Sequence, residues 1–426
     1  MNILHLQTYD IGGAYMAASR LHRHLTAAGL NSRLMVHAQL CRGSDVISCH
    51  PQNIFHLLKN KVKFAAGPDG STARSNPDYV FRDAEHAAVR DIGPLFRRVP
   101  FRPDIIVAHW ISNFLSAEHL YHISDHYRAP VVWHLLDMAP LTGGCHYAWD
   151  CTGYTAQCGS CPALYSPAAD DLSHSIWSRK REFIRSMNIT LVPATARLAE
   201  QAGRASLFSG KKIEKILLGV DPDTFRPAAR ELPRTSFGLP LDRKIIFFGA
   251  QSLKSRRKGL SYLVEALNIL LDRPDVKGEE IMLITAGHER DVRESLGRRL
   301  ACRHLGFLGD DRSLAAAYQA ADLFVCPSIE DSGPMMINEA IMCGTPVVSF
   351  DMGVARDLVH TGKTGYRAEL KNSADLAHGM ANILKLSRAE AADMSACCRQ
   401  TGLDHCHPGI QAGAFHSLFG SLTKEG

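Results

Sequence analysis

With 426 residues, 46% of them hydrophobic and 21% charged, the chain has the length for two domains with separate cores and the balance of a globular protein. A net charge of +5 is too small and too spread along the chain to argue for nucleic-acid binding and suits an anionic donor or a peripheral membrane site. No apolar run is long enough to span a membrane and the sequence opens on a strand pattern, so a cytoplasmic protein is expected, its twelve cysteines reading as thiols rather than a secreted disulfide framework.

Strand-like runs alternate with helical patterns from end to end, which predicts α/β domains on parallel sheets with crossover connections. In the first half strands are expected at Asn2 to Leu6, Ser32 to His37, Asp104 to His109, Pro130 to Leu136, Ile189 to Pro193 and Ile213 to Leu218. Gly12 and Gly13 follow the first of these and precede a helical pattern from Ala14, so a ligand can approach the backbone at the strand's carboxyl end. Their spacing is not a dinucleotide fingerprint, because no third glycine follows in place. Ile54 to Ala66 interleaves apolar residues with Lys59, Lys61 and Lys63, as a surface helix or a bilayer-contacting segment would, and Gly67 to Asp83 reads as a long loop. His109-Trp110 closes one strand and His134 lies near the end of the next.

Four cysteines, Cys145, Cys151, Cys158 and Cys161, fall within seventeen residues. The last two have the two-residue spacing and adjacent glycine that tetrahedral zinc favours, so a structural zinc is expected here, with a reduced cluster or a local disulfide as the other readings and His146 as a substitute ligand. The halves divide near Gly219 to Pro227, which sets a first domain at 1–222, with its Cys-rich insertion at 142–162, and a second at 223–405; the final segment, 406–426, is expected to cross back to the first. Asp221-Pro222-Asp223 sits in that linker and is read as a turn, not a metal site.

In the second half strands are expected at Lys244 to Gly249, Ile281 to Ala286, Leu305 to Leu308, Asp322 to Cys326 and Pro346 to Phe350. Arg256, Arg257, Lys258 and Gly259 follow the first, before a helical run from Ser261 to Leu271. The segment Pro327 to Pro346 reads Pro-Ser-Ile-Glu-Asp-Ser-Gly-Pro-Met-Met-Ile-Asn-Glu-Ala-Ile-Met-Cys-Gly-Thr-Pro. Pro334 fits the first helical position and Gly344 stops the helix, so Asp331 lies before its positive end and Glu339 just over one turn into it. A diphosphate can sit on that end while the two carboxylates accept hydrogen bonds from sugar hydroxyls on either side.

Two carboxylates separated by seven residues in this frame resemble the signature of retaining glycosyltransferases of family 4, which have the GT-B fold of two Rossmann-like domains around a cleft. The Gly219-Val220-Asp221 and Phe225-Arg226-Pro227 linker is similar to theirs, and Thr142-Gly143-Gly144-Cys145-His146-Tyr147 resembles a subgroup that builds bacterial polysaccharides of the colanic acid type. The resemblance implies an acceptor-binding first half and a nucleotide-sugar-binding second half. Asp331, where the family usually has Glu, would position the hexose, with Glu330 beside it, and Glu339 the ribose; Gly12, Gly13, Gly249, Gly333, Met335, Met336 and Ile337 would line the donor. Lys258, with Arg257 or Arg256 in place of an arginine expected near Ala250, would neutralise the diphosphate, so that no metal or other cofactor is needed for the chemistry.

Leu136 stands where the family usually has a histidine near the transferred sugar, and His134, two residues earlier, is expected to substitute in part or to be a core residue; His109 and Trp110 would meet the acceptor. The expected reaction is transfer of a sugar, with retention of configuration, to a saccharide or lipid-linked saccharide, at the cytoplasm's inner membrane surface. A nucleotide-sugar epimerase of the same architecture and a non-catalytic binding protein are the alternatives.

Overall fold

The computed structural model describes residues 1–41, 45–49, 76, 78–83, 85–86, 88, 91–253, 255–288 and 299–424. The basic amphipathic stretch at 54–66 and the first part of the loop after it lie outside the described residues. The chain forms two compact units, one of Met1–Leu217 with Gln411–Gly426 and one of Leu218–Ile410.

The first unit carries β1 (Asn2–Tyr9), α1 (Gly12–Ala27), β2 (Asn31–Ala38), β3 (Ile47–Ser48), α2 (Gly93–Phe96), β4 (Ile105–Ala108), α3 (Ala117–Tyr127), β5 (Val131–Leu135), α4 (Leu172–Ile184), β6 (Ile189–Pro193), α5 (Ala196–Arg204) and β7 (Lys212–Ile213). All its strand pairs are parallel, in the order β3-β2-β1-β4-β5-β6-β7. Because successive side chains alternate between faces, each strand feeds two cores. Leu4, Leu6, Ile106, Ala108, Val131, Trp133 and Leu135 enter one; Ile3, Ile105, Val107 and Val132 enter the other, where Leu21 and Leu25 of α1 cover them. Phe415, Leu418, Phe419 and Leu422 of the terminal helix pack into that second core.

The second unit carries α6 (Glu231–Ser236), β8 (Lys244–Gly249), α7 (Leu260–Leu271), β9 (Ile281–Ala286), β10 (Ala301–His304), α8 (Asp311–Ala320), β11 (Leu323–Cys326), α9 (Met335–Met342), β12 (Val347–Phe350), α10 (Ala355–Leu358), β13 (Gly365–Ala368), α11 (Ser373–Leu384) and α12 (Arg388–Cys406), followed by the terminal helix α13 (Pro408–Lys424). Its sheet is also parallel, in the order β10-β9-β8-β11-β12-β13. At the amino-terminal edge of this sheet Asp322, 8% exposed, fastens the start of β11 to β8: its carboxylate accepts from Arg234 and Arg230 at 2.8 and 2.7 Å and from the Ile245 amide at 2.7 Å. The carboxyl-terminal edge is left for function.

Each sheet reverses strand order once, between β1 and β4 and between β8 and β11. Ligands of doubly wound sheets bind at such switch points, outside the carboxyl ends of the strands.

Two strand expectations are corrected, and two strands were not expected. The Leu305 to Leu308 run is a loop, and the strand is the more polar Ala301–His304, paired with Met282 to Thr285; Phe307 is consequently 54% exposed and stacks on His288. Ile213 to Leu218 contributes only the two residues of β7. The edge strands β3 and β13 have too few apolar residues to stand out, because each has a neighbour on one side alone.

Candidate functional site

At the β8/β11 switch point of the second unit, a tight turn at Arg256–Lys258 leads through Gly259, at φ +70°, into α7. A Cβ on Gly259 would lie 1.8 Å from the Pro327 carbonyl oxygen, so only glycine lets this turn lie against the loop after β11. Two backbone bonds then tie the loops, from the Ile329 and Glu330 amides to the Arg257 carbonyl at 2.8 and 3.4 Å.

This docking presents the charges. Arg257 Nη1 and Lys258 Nζ both donate to Asp331 Oδ2, at 2.8 and 2.5 Å, while Gly333 N donates to Oδ1 at 3.3 Å. Burial pushes the Asp331 carboxyl up, but Lys258 and Arg257 outweigh it and hold it at about 2. Two cations thus converge on one carboxylate oxygen, each still about one-fifth exposed. Arg256 is exposed and lies outside this cluster. Glu330 is buried beside Asp331.

Immediately after it, α9 begins with Pro334 as the residue before its first turn, not within it as the sequence suggested, and no side chain caps it. Within the unit Asp310, Asn372 and Ser387 cap α8, α11 and α12, whereas α7 and α9, which start at the switch point, have no side-chain cap, as is also true of the short helices α6 and α10. Uncapped helix starts beside paired cations form an anion-binding surface. Glu339 lies in α9, 2% exposed, and its Oε2 accepts from the Tyr318 hydroxyl at 3.1 Å. Met335 and Met336 are half-buried, Ile337 is fully buried, and Gly249 lies against the Met336 side chain. Asp221 bonds the Asp223 amide and the Thr224 hydroxyl, as a turn residue does.

At the β1/β4 switch point of the first unit, Ile11 precedes α1 without a side-chain cap, and a Cβ at Gly12 or Gly13 would meet open space. Trp110, after β4, is half-buried; its Nε1 donates at 3.0 Å to Asp137, which follows β5.

The histidines correct an expectation. His134 is fully buried, edge-on to Phe415, and bonded through Nδ1 to His109 Nδ1 at 3.1 Å; His109 Nε2 in turn meets His5 Nδ1 at 2.9 Å. His134 is therefore a core residue, and His109, 2% exposed, belongs to the same buried row rather than to an acceptor surface. Sequence alternation gave the right side of the strand, but it could not show that the terminal helix covers that side.

Burial pushes His134 down to about 3 and carries His5 and His109 well below the usual value, with the neighbouring histidines adding to the effect. These rings stay neutral in the fold and take protons in the unfolded chain from about pH 6.5 downward, so the stability they support is complete above that pH and drains as pH falls toward 3. Urea unfolding at pH 7, 6 and 5 is expected to lose up to about 1.4 kcal/mol per pH unit for each histidine, and a His134→Leu variant to show a shallower slope.

In the Cys-rich segment, Gly144 adopts φ +128° and a Cβ there would press the Phe81 ring at 2.7 Å. Lys180, buried, ties the segment down through the Ala139 and Thr142 carbonyls at 2.6 and 2.9 Å. The Cys145 thiol bonds Cys161, which lowers Cys161 to about 6 and raises Cys145, and the Gly143 amide donates to Cys158 at 3.2 Å. Among the described residues no group of three or more His, Cys, Asp or Glu side chains is placed to hold a metal ion, so the zinc expected at these cysteines has no such geometry behind it. Among the same residues no helix is long and apolar enough to cross a membrane.

The profile of the group 1 glycosyl transferases matches residues 242–386, which contain the whole charge cluster. An uncharacterized glycosyltransferase of Methanocaldococcus jannaschii is 31% identical over 155 residues, 35% of this chain and 38% of that protein. The putative colanic acid biosynthesis glycosyl transferase WcaC of Escherichia coli is 26% identical over 378 residues, 85% of this chain and 87% of its own. The chain spans less than half the length of the first curated relatives it matches. In fold it is similar to the sucrose-phosphate synthase of Thermosynechococcus elongatus, with a TM-score of 0.67 at 17% identity and full coverage of both chains. Residues 242–386, with Lys258, Asp331 and Glu339 among them, thus match the group 1 glycosyl transferases, and the two doubly wound domains have the GT-B fold.

Proposed function

We propose that the chain is a retaining glycosyltransferase that moves a sugar from a nucleotide-sugar donor to a saccharide or lipid-linked saccharide hydroxyl in bacterial surface or extracellular polysaccharide synthesis. The observation that carries this reading is the convergence of Arg257 and Lys258 on Asp331 beside the uncapped start of α9. In this scheme the two cations and the α9 amides take the diphosphate and stabilise the charge that grows on it as the glycosidic bond breaks. Asp331 then releases part of its hold on the cations to orient the hexose, and Glu339 orients the ribose. The base lies near Gly306 to Gly309, where Phe307 offers an exposed ring.

Two cations aimed at the leaving group supply the neutralisation that a divalent ion gives elsewhere, so metal-independent chemistry is proposed. With no carboxylate placed as a covalent nucleophile, same-face displacement assisted by the leaving phosphate is the proposed route. The proposed setting is the cytoplasmic side of the inner membrane, in peripheral contact with it, and without nucleic acid. Leu136, which withholds the expected histidine, favours the second reading, a binding protein that retains a donor site without turnover.

The test follows nucleoside diphosphate release from a panel of nucleotide sugars, with and without lipid-linked saccharides, in the wild type and Glu339→Ala. Release from one donor that grows with acceptor and falls at least tenfold in the variant is expected. Nucleotide binding without release from any donor would establish the binding protein instead, and a product with inverted sugar stereochemistry and no acceptor requirement would establish an epimerase.

A further inference from the structure

The buried residues of α8 are Ala315, Ala317, Tyr318 and Ala320, so one long side chain stands among alanines. The small residues let the helix lie close to the second unit's core, and the tyrosine alone reaches across it. Its ring meets Phe247 of β8 edge-on at 5.3 Å and 66°, and Phe324 of β11 at 5.3 Å and 88°. Phe225 of the linker tilts against it at 6.5 Å. Edge-to-face packing of this kind leaves a fully buried ring no room to swing, so the core itself, and not a polar neighbour, fixes where the hydroxyl points.

That hydroxyl ends on α9. It donates to Glu339 Oε2 at 3.1 Å, while the Tyr318 carbonyl accepts from Thr345 Oγ1, just past the end of the same helix, at 2.9 Å. Tyr318 therefore holds α9 both in its middle and beyond its last turn. Burial, and after it the Glu339 carboxyl, holds the Tyr318 phenol well above its usual value. The phenol keeps its proton across the working pH range, and it is a standing donor at a fixed place.

A buried phenol needs an acceptor, and a backbone carbonyl would serve. Here the acceptor is the carboxylate that orients the ribose in the proposed scheme. The last torsion of a glutamate is its softest, because rotation about an sp³–sp² bond has broad wells. A hydrogen bond to Oε2 from a donor that cannot move fixes the carboxyl plane, and with it the direction of the remaining lone pairs, before any ligand arrives. At 2% exposure Glu339 has little space in which to search for a partner, so the direction set by Tyr318 is the one a ligand meets. Presetting it saves the ordering cost that a free carboxylate would bring to each binding event.

We infer that Tyr318 is a positioning residue for the donor ribose: its hydroxyl, fixed between Phe247 and Phe324, aims the Glu339 carboxylate at the ribose hydroxyls and thereby sets how strongly the site prefers a ribonucleotide to its deoxy counterpart. The inference rests on the transferase reading for the contact between Glu339 and the ribose. Tyr318 itself touches neither sugar nor phosphate. The ribose lies away from the bond that breaks, so weakening its contact costs the bound donor and the transition state alike and shows in KM rather than in kcat.

Calorimetric titration of the full chain tests it with UDP, GDP, ADP and CDP and with the 2′-deoxy and 3′-deoxy form of each, in the wild type and in Tyr318→Phe, which removes one oxygen and keeps the ring. The wild type is expected to bind at least one ribonucleotide about tenfold or more tightly than a deoxy form, as a hydroxyl bonded to a charged acceptor gives, and Tyr318→Phe to shrink that ratio to about threefold or less while the deoxy affinity moves by less than about twofold. A bond that only supports the fold would weaken ribo- and deoxynucleotide equally. An unchanged ratio in Tyr318→Phe therefore overturns the inference, as does a wild type with no preference for ribose. Should Tyr318→Phe fail to fold, the chain carrying 3-fluorotyrosine at position 318 decides: its 19F resonance must move further with the saturating ribonucleotide than with the deoxy form, and equal shifts overturn the inference. Turnover on the same samples separates the two ideas, with the donor KM expected to rise about fivefold or more in Tyr318→Phe and kcat to fall by less than about threefold. Release of nucleoside diphosphate with an unchanged ratio overturns the positioning role alone, and a ratio that collapses in Tyr318→Phe without release from any donor overturns the transferase reading alone.

Discussion

Lys258→Ala is expected to lower nucleoside diphosphate release by about 10²- to 10³-fold, the effect of removing one preorganised stabilising group worth about 3 kcal/mol at a growing oxyanion. The cation sits 2.5 Å from Asp331 Oδ2 and about one-fifth exposed, fixed in place but open to a ligand on one side. Folding should suffer far less. Arg257 still pairs with Asp331 at 2.8 Å, so the buried carboxylate is never left alone, and the loss should be on the order of 1 kcal/mol. The measurement is turnover at saturating donor beside urea unfolding of the same protein. If release falls by no more than the fraction of protein unfolded, Lys258 is a structural ion-pair partner and the proposed diphosphate clamp is wrong.

Gly259→Ala should reduce turnover by at least as much as removing the lysine, although every charged group remains. Two costs add. A non-glycine residue in the left-handed region costs roughly 1–2 kcal/mol, and a Cβ 1.8 Å from the Pro327 carbonyl oxygen cannot be accommodated by a rotamer change, because both atoms belong to backbone-fixed groups. The turn must move off the loop after β11 and break the bonds from Ile329 and Glu330 to the Arg257 carbonyl. About 3 kcal/mol of stability should go with it, an overpacking cost added to the strain. A Gly259→Ala/Lys258→Ala double variant no worse in turnover than Gly259→Ala shows that both act through the same placement, since independent effects would multiply. Turnover near the wild-type rate would show that the lysine reaches the ligand without the glycine's turn.

Much of this architecture was legible in order. Buried parallel strands such as Ile105–Ala108 and Val347–Phe350 are short apolar runs because both faces are covered, and so they stand out from the polar loops around them. Edge strands were not legible. Ala301–His304 looks like a loop and the apolar run after it looks like a strand, since one-sided pairing leaves the strand free to be polar. The charge cluster was half legible: Lys258, Arg257 and Asp331 stood out through their resemblance to a glycosyltransferase signature, but that Asp331 pairs with both cations follows only from two loops meeting at Gly259.

By itself the sequence determined that this is a two-domain parallel α/β chain with cations after β8 and paired carboxylates around α9, because local periodicity, turn chemistry and the order of elements are written in adjacent residues. Tertiary structure alone decided what surrounds each histidine. His134 and His146 are only twelve positions apart, and nothing local distinguishes them. One lies on a strand face that Phe415 covers from the end of the chain and bonds His109, and the other is held by Asp137; burial and hydrogen-bond partners are properties of segments distant in sequence, and they appear only when the chain folds.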